Sequence, residues 1–479
     1  MLLKMFDSQD LHCEERGEEP TQPTQPTGHL PSRPELCETS CMNHSSSPLS
    51  RRDFLASTAR GALGLAAVPA MLLPARQAGA APLLAVRLVI DDPDGTLGRT
   101  RAPVSMSVLL EIRLRQAALE GRLQLREQTS DTAASGSAIP LQCLGPGAGD
   151  TLRLCWAMPE GPKGPRVFIP AESSHPARTS MQAAQSQPGG QFDISEGAKP
   201  VLRYNYAKVE PAGAFLQTVT EDNRKYAVAR SNYIHPLYGP QGETLTKDWS
   251  RDHPHHRGIY WAWPEVDWRG QRADLHALQK AFARPTGKCE TLSGPVFAQL
   301  DAENLWQWED REPIVRERAL IRAYPATPAG RLLDLEFHFA ALDQPVLLAR
   351  RGAAHYGGLN LRFNALKDQQ ISKHTDRPDA SPRKSWGDLS GIYAGAQVPA
   401  GVAILQHASN AHFPGDWIDY PELNWLQPAF PSVGTRYELR KAEPLVLRFR
   451  LWIHPGGQPA AAAGADRWLA ANSRFSPLS

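Results

Sequence analysis

Six cysteines in 479 residues are too few to staple a fold of this length, and no basic run disturbs a balance of 52 Lys and Arg against 50 Asp and Glu. The first scarcity leaves stability to buried apolar surface. The second removes the electrostatic footprint that nucleic acid binding requires, so nucleic acid is not an expected partner. Beyond residue 81 there is also no apolar run of the ~20 residues that a membrane helix needs, so no span is expected in the mature chain. Cys143 and Cys155 flank the Gly-Pro-Gly-Ala-Gly segment 145–149. They either pair across a hairpin in an oxidising compartment or, with Cys289, remain free thiols, and their spacing matches no metal motif.

The amino terminus reads as an export signal. Arg51 and Arg52 form a twin-arginine signature, an apolar run covers 54–73, and Ala78-Gly79-Ala80 offers a small-x-small cleavage site. A mature chain starting near Ala81 in the periplasm, or secreted, is expected. Residues before the arginines are rich in Pro, Ser, Thr and Glu and read as a disordered leader. Met42 is an alternative start that would remove Cys13, Cys37 and Cys41.

Short β-rich segments separated by Gly, Pro, Asp or Ser fill 82–170 and predict a small immunoglobulin-like sandwich. Residues 171–198, rich in Ser, Gln, Gly and Pro, read as a linker. The remainder, 199–479, is again mostly strand. In RLLDLEFHF, Leu333, Leu335, Phe337 and Phe339 share one face, and Asp334, Glu336 and His338 the other. In 445–454, Leu447, Phe449, Leu451 and Ile453 alternate with Arg448, Arg450, Trp452 and His454 in the same way. Such a polar face is either a sugar-binding surface or a solvated exterior. An alanine-rich segment, 459–475, predicts a terminal helix.

One stretch stands apart. Residues 231–268 hold four of the twelve tryptophans and four of the fifteen histidines, with Lys247, Asp248, Asp252 and Arg257 among them. Imidazoles need partners when they leave water, so His253, His255 and His256 are a poor way to build a core. They fall on a loop before a second strand, 257–263, where a scaffold can fix a site while leaving it open to ligand.

The words YIHPLYGPQGETLTKDW and DHPHHRGIYWAW, with VLRYNYAKV upstream and HYGGLNLRF downstream, resemble the bacterial PmoA-like proteins, often called methane oxygenase PmoA. The resemblance covers about 199–454, and DHPHHRG is its most specific part. Because members are often encoded beside sugar-metabolising genes, it implies a carbohydrate or sugar-derived partner. The oxygenase label implies a histidine-ligated metal oxidoreductase. By analogy, the large domain is expected to be a two-sheet sandwich resembling the galactose mutarotase superfamily.

Three chemistries fit the loop. As a metal site, His253 and His255 share one side of an extended backbone, with His355, His235 or His338 completing the set around a divalent ion. As acid/base groups, His255 or His256 exchanges protons, Asp252 fixes a tautomer and Arg257 meets an oxyanion. As structure, the histidines merely hold the loop. Glu336 with His338 adds a carboxylate and imidazole suited to proton transfer at a sugar carbon, as in lyases and epimerases. Among Asp248, Asp252, Glu336 and Asp416 a hydrolase pair is possible. Tyr204, Asn205, Tyr206, Tyr260, Trp261, Trp263, His355 and Trp417 are candidate sugar contacts, although Trp261 and Trp263 share the face of Ile259 and fit a core equally. Where the family has a His-Pro turn, this chain has alanine at 408, leaving His407 or Asn410 to touch substrate or close the domain. A carbohydrate-active enzyme is the first expectation and a non-catalytic carbohydrate-binding protein the second. Buried histidines distinguish an enzyme from a flat aromatic platform, and converging imidazole nitrogens mark a metal site.

Overall fold

Two eight-stranded antiparallel sheets, packed face to face, carry the site. In this computed structural model the described residues are 86–473, apart from 131–132, 135, 187–189 and 376–383. The leader, the twin-arginine segment and Cys13, Cys37 and Cys41 lie outside them.

The first sheet runs, edge to edge, Asp416–Tyr420, Trp425–Ala429, Gly358–Arg362, Ile259–Ala262, Tyr233–Leu237, Lys199–Asn205, Gln191–Glu196 and Met181–Ser186. The second runs Ala281–Leu292, Ala298–Trp308, Glu312–Ala323, Arg331–Ala341, Leu445–Pro455, Ala400–Gln406, Trp386–Tyr393 and Leu366–His374. Period-two alternation explains the packing. Leu333, Leu335, Phe337 and Phe339 meet Leu447, Phe449, Leu451 and Ile453 on the inner face of adjacent strands, as their pattern predicts.

From the other sheet, Ile259, Trp261 and Trp263 enter the same core. Trp261 and Trp263 stack at 4.9 Å between ring centroids and meet Phe337 and Phe339 edge-on. The expectation that one of these tryptophans receives a sugar does not hold, because the strand alternation that turns Tyr260 to the outer face turns both indoles inward.

The segment expected to be a linker supplies two strands instead. Met181, Ala183, Phe192 and Ile194 are buried, and the Ser and Gln residues between them occupy the polar face of an edge hairpin. Low apolar content therefore marks an edge of the sandwich here.

The small amino-terminal part has a five-stranded and a three-stranded sheet, with short helices Thr96–Arg99 and Ile112–Leu119 added to the expected β pattern. Its own core includes Leu88, Leu125, Leu154, Trp156 and Phe168. It adjoins the large sandwich through Cys155, Val296, Phe297 and Tyr324. Cys143 and Cys155 are free thiols. Cys143 lies opposite Leu154, and Cys155 opposite Gln142, so their side chains leave opposite faces of the sheet. Burial pushes the Cys155 thiol up to about 11. The terminal helix, Ala461–Ser473, places Trp468 against Trp386, Leu405 and Trp452 on the outside of the second sheet.

Candidate metal centre

The histidine loop joins the first sheet at Gly258, whose φ of 64° suits glycine. A Cβ there would run into the carbonyl of Ile234. Arg257, fully buried, anchors the loop: its guanidinium donates to Asp248 and to the Tyr233 hydroxyl and lies 3.4 Å from the centroid of the Trp249 ring. Arg257 is thus committed to holding the loop rather than standing open to substrate.

Residues 253–256 are not extended. The His256 N–H donates to the His253 carbonyl at 3.0 Å, closing a turn. Alternation would place His255 and His256 on opposite sides of the chain; the turn brings their rings to 4.6 Å between centroids. Both imidazoles therefore enter one cluster.

The third member is His276, carried by the loop after Gln271–Ala273. Leu275 N–H donates to the Trp263 carbonyl, and Arg230 donates to the carbonyls of Leu275 and His276, so this loop is fixed to the sheet. One ligand atom from each of His255, His256 and His276 lies within 4.8 Å of the others. His255 Nδ1 and His256 Nδ1 are buried and have no hydrogen-bond partner among the described residues. His276 Nδ1 lies 3.2 Å from the Tyr260 hydroxyl, which leaves Nε2 for a ligand. A second partner on the distal nitrogen is the arrangement that orients a metal-binding imidazole.

Burial lowers the pKa of all three: His255 to about 3, and His256 and His276 well below the usual imidazole value. Neighbouring imidazoles add to the effect, as do Arg230 and Arg351 at His255 and His276 and Arg362 at His256. Three neutral imidazoles are the protonation state a divalent ion requires. His253 stands at the rim, its side chain 40% exposed, with Nδ1 3.0 Å from Asp252 and its ring stacked 4.6 Å from His256. That hydrogen bond, helped by Arg362, holds the Asp252 carboxyl below the ordinary carboxylate range. Tyr226, Tyr356, Tyr420 and Trp425 surround the cluster, with Trp425 edge-on to His256 at 4.5 Å and Tyr356 5.0 Å from His276.

The other candidates lie elsewhere. Glu336 and His338 sit on the outer face of the second sheet, with the sandwich core between them and the histidine cluster; His338 Nε2 and Arg448 Nε hold the two Glu336 oxygens at 2.6 and 2.9 Å. Strand alternation makes that separation unavoidable. Asn410 bonds the Arg448 backbone through both amide atoms and closes a turn. His407 pairs with the Ser409 hydroxyl in that turn. His355 is exposed, and its neighbour Tyr356 makes the approach to the cluster. His235 bonds Thr246 Oγ1, and Asn205 donates to the His235 carbonyl. Trp417 lies on Gly387 and donates to the Lys384 carbonyl. Tyr204 ends in an interior network with Asn232, Asn304 and Glu317, where burial raises the Glu317 carboxyl to about 7. Of the metal candidates His253, His255 and His355, only His255 belongs to the group of three whose geometry could hold an ion; the other two members are His256 and His276. His276 sits in DLHALQK, which has no local motif to reveal it.

Fold and site together describe an all-β sandwich with three converging imidazoles, two buried and one part-buried, on the outer face of one sheet. The chain belongs to the family of unknown function DUF6807, whose model matches residues 191–468 and so includes every member of the cluster. No curated protein matches the chain.

Proposed function

We propose that the protein is a metal-dependent enzyme acting on a sugar-derived substrate after export. The convergence of His255, His256 and His276, with two Nδ1 atoms buried and unpartnered, carries this reading. Buried polar atoms are normally satisfied, and a divalent transition metal satisfies imidazole lone pairs at no proton cost when the rings are already neutral. Such an ion supplies Lewis-acid polarisation of a substrate oxygen. His253, half-exposed and bonded to Asp252, is placed to exchange a proton beside it. Partly exposed Tyr226, Tyr356 and Tyr420 give a rim of the kind on which sugar rings stack. The resemblance to PmoA-like proteins and the twin-arginine signature support the sugar and the periplasmic location. Purified protein supplied with transition metals should retain about one ion per chain by elemental analysis, as a single three-imidazole site implies. His276→Ala should lose it while the far-ultraviolet circular dichroism stays unchanged. Wild-type protein without metal, or a His276→Ala variant that keeps its metal, overturns the proposal.

A further inference from the structure

Beside the histidine cluster, strand Gly358–Arg362 places Arg362 on the outer face of the first sheet, in register with Trp425. Arg362 is 7% exposed. Its Nη2 lies 3.3 Å from Asp252, while Nε and Nη1 are buried without a partner among the described residues. An unpaired guanidinium edge away from water is costly, and an oxyanion is the partner whose geometry matches it. The Asp252 side chain is 50% exposed and has His253 as a second partner, which leaves it free to let go.

Arg362 and Asp252 border a cleft of about 670 Å³, whose lining also includes Phe215, Lys247, Trp249 and Arg251. Its walls carry three cations against one carboxylate. Neither Lys247 nor Arg251 makes an ion pair among the described residues, although 30 other such pairs form there. A cleft lined mainly by one sign of charge concentrates the opposite sign.

We infer that this cleft binds an oxyanion on the substrate, a carboxylate or a phosphate, with Arg362 exchanging Asp252 for the ligand's oxygens. Both two-point edges of a guanidinium include Nη2, so bidentate capture follows release of Asp252. The aromatic walls, Phe215 and Trp249, receive the apolar part of the ligand. This deepens the proposed function by making its sugar an acidic one.

Calorimetric titration of the full mature chain with D-glucuronate, glucose 6-phosphate and glucose tests it. At least one charged sugar should bind about tenfold or more tighter than glucose, with affinity falling as salt rises. Preference between the two charged sugars assigns carboxylate or phosphate. Arg362→Gln should weaken that sugar by about tenfold to a hundredfold. Because Arg362 is buried, the double variant Lys247→Ala/Arg251→Ala, at accessible positions, gives a second reading: a loss of about threefold to tenfold. Equal affinity for glucose, binding of none of the three sugars, or unchanged affinity in both variants overturns the inference. Metal content measured on the same samples separates the two proposals: charge selection by a protein without metal sinks the metal reading alone, and a metal-bearing protein indifferent to charge sinks this one alone.

Discussion

The outer faces of the two large sheets are both polar, and the Asp334 and Glu336 networks of the second differ from the histidine cluster and Arg362 of the first in whether their polar groups are closed. On the second sheet Asp334 takes both arms of Arg450 at 2.5 and 2.8 Å, and Glu336 takes Arg448 and His338. On the first, His255, His256 and Arg362 present buried nitrogens without partners. Carboxylate, histidine and arginine side by side are therefore no mark of a site in themselves. A group already satisfied by its neighbours holds the fold together, whereas one left unsatisfied at a structural cost points to a ligand.

The largest effect that separates the faces is on stability. Asp334→Ala strands the buried Arg450 guanidinium and should destabilise by about 3–5 kcal/mol in urea unfolding while metal content remains unchanged. A loss below about 1 kcal/mol would mean that the Asp334–Arg450 pair is not a closed network.

Next is pH. A folded imidazole held below its unfolded value of about 6.5 must discard a proton to fold, so its contribution is present above that value and is lost as pH falls. For His255, with its folded value near 3, the metal-free protein should lose about 2 kcal/mol between about pH 6.5 and about pH 5. Glu317 slopes the other way. Its carboxyl is raised from 4.5 to about 7, so stability falls as pH rises through that window, and Glu317→Gln should remove that component. Thermal melts of the wild type and of Glu317→Gln, metal-free, from acid to neutral pH resolve both slopes; a flat acid limb in the variant would contradict neutral buried imidazoles.

The smallest effect is at His338. Replacing it by Gln removes one partner of Glu336 and should cost about 1 kcal/mol, with ligand binding and metal content as in the wild type. Any loss of metal there would join the two faces functionally and break the contrast.

Much of this protein is legible in local pattern. The two-residue period of 331–341 and 445–455 names the inward faces, because adjacent side chains on a strand must point opposite ways. The crowding of imidazoles in DHPHHRG marks a loop that packing alone does not account for, and His255 and His256 do join the buried cluster. The alanine-rich end forms its helix over Ala461–Ser473, inside the expected 459–475.

What local pattern leaves open is decided by contacts between distant segments. His276 joins His255 and His256 because Arg230 and the Trp263 carbonyl pin its loop. Trp261 and Trp263 are core because Phe337 and Phe339 arrive from the other sheet. Residues 171–198 look like a linker until an edge hairpin gives Phe192 and Ile194 somewhere to be buried. Glu336 and the histidines are separated by the thickness of the sandwich, which sequence order does not encode. Periodicity tells each residue which way to face; only the packed fold determines what is there to meet it.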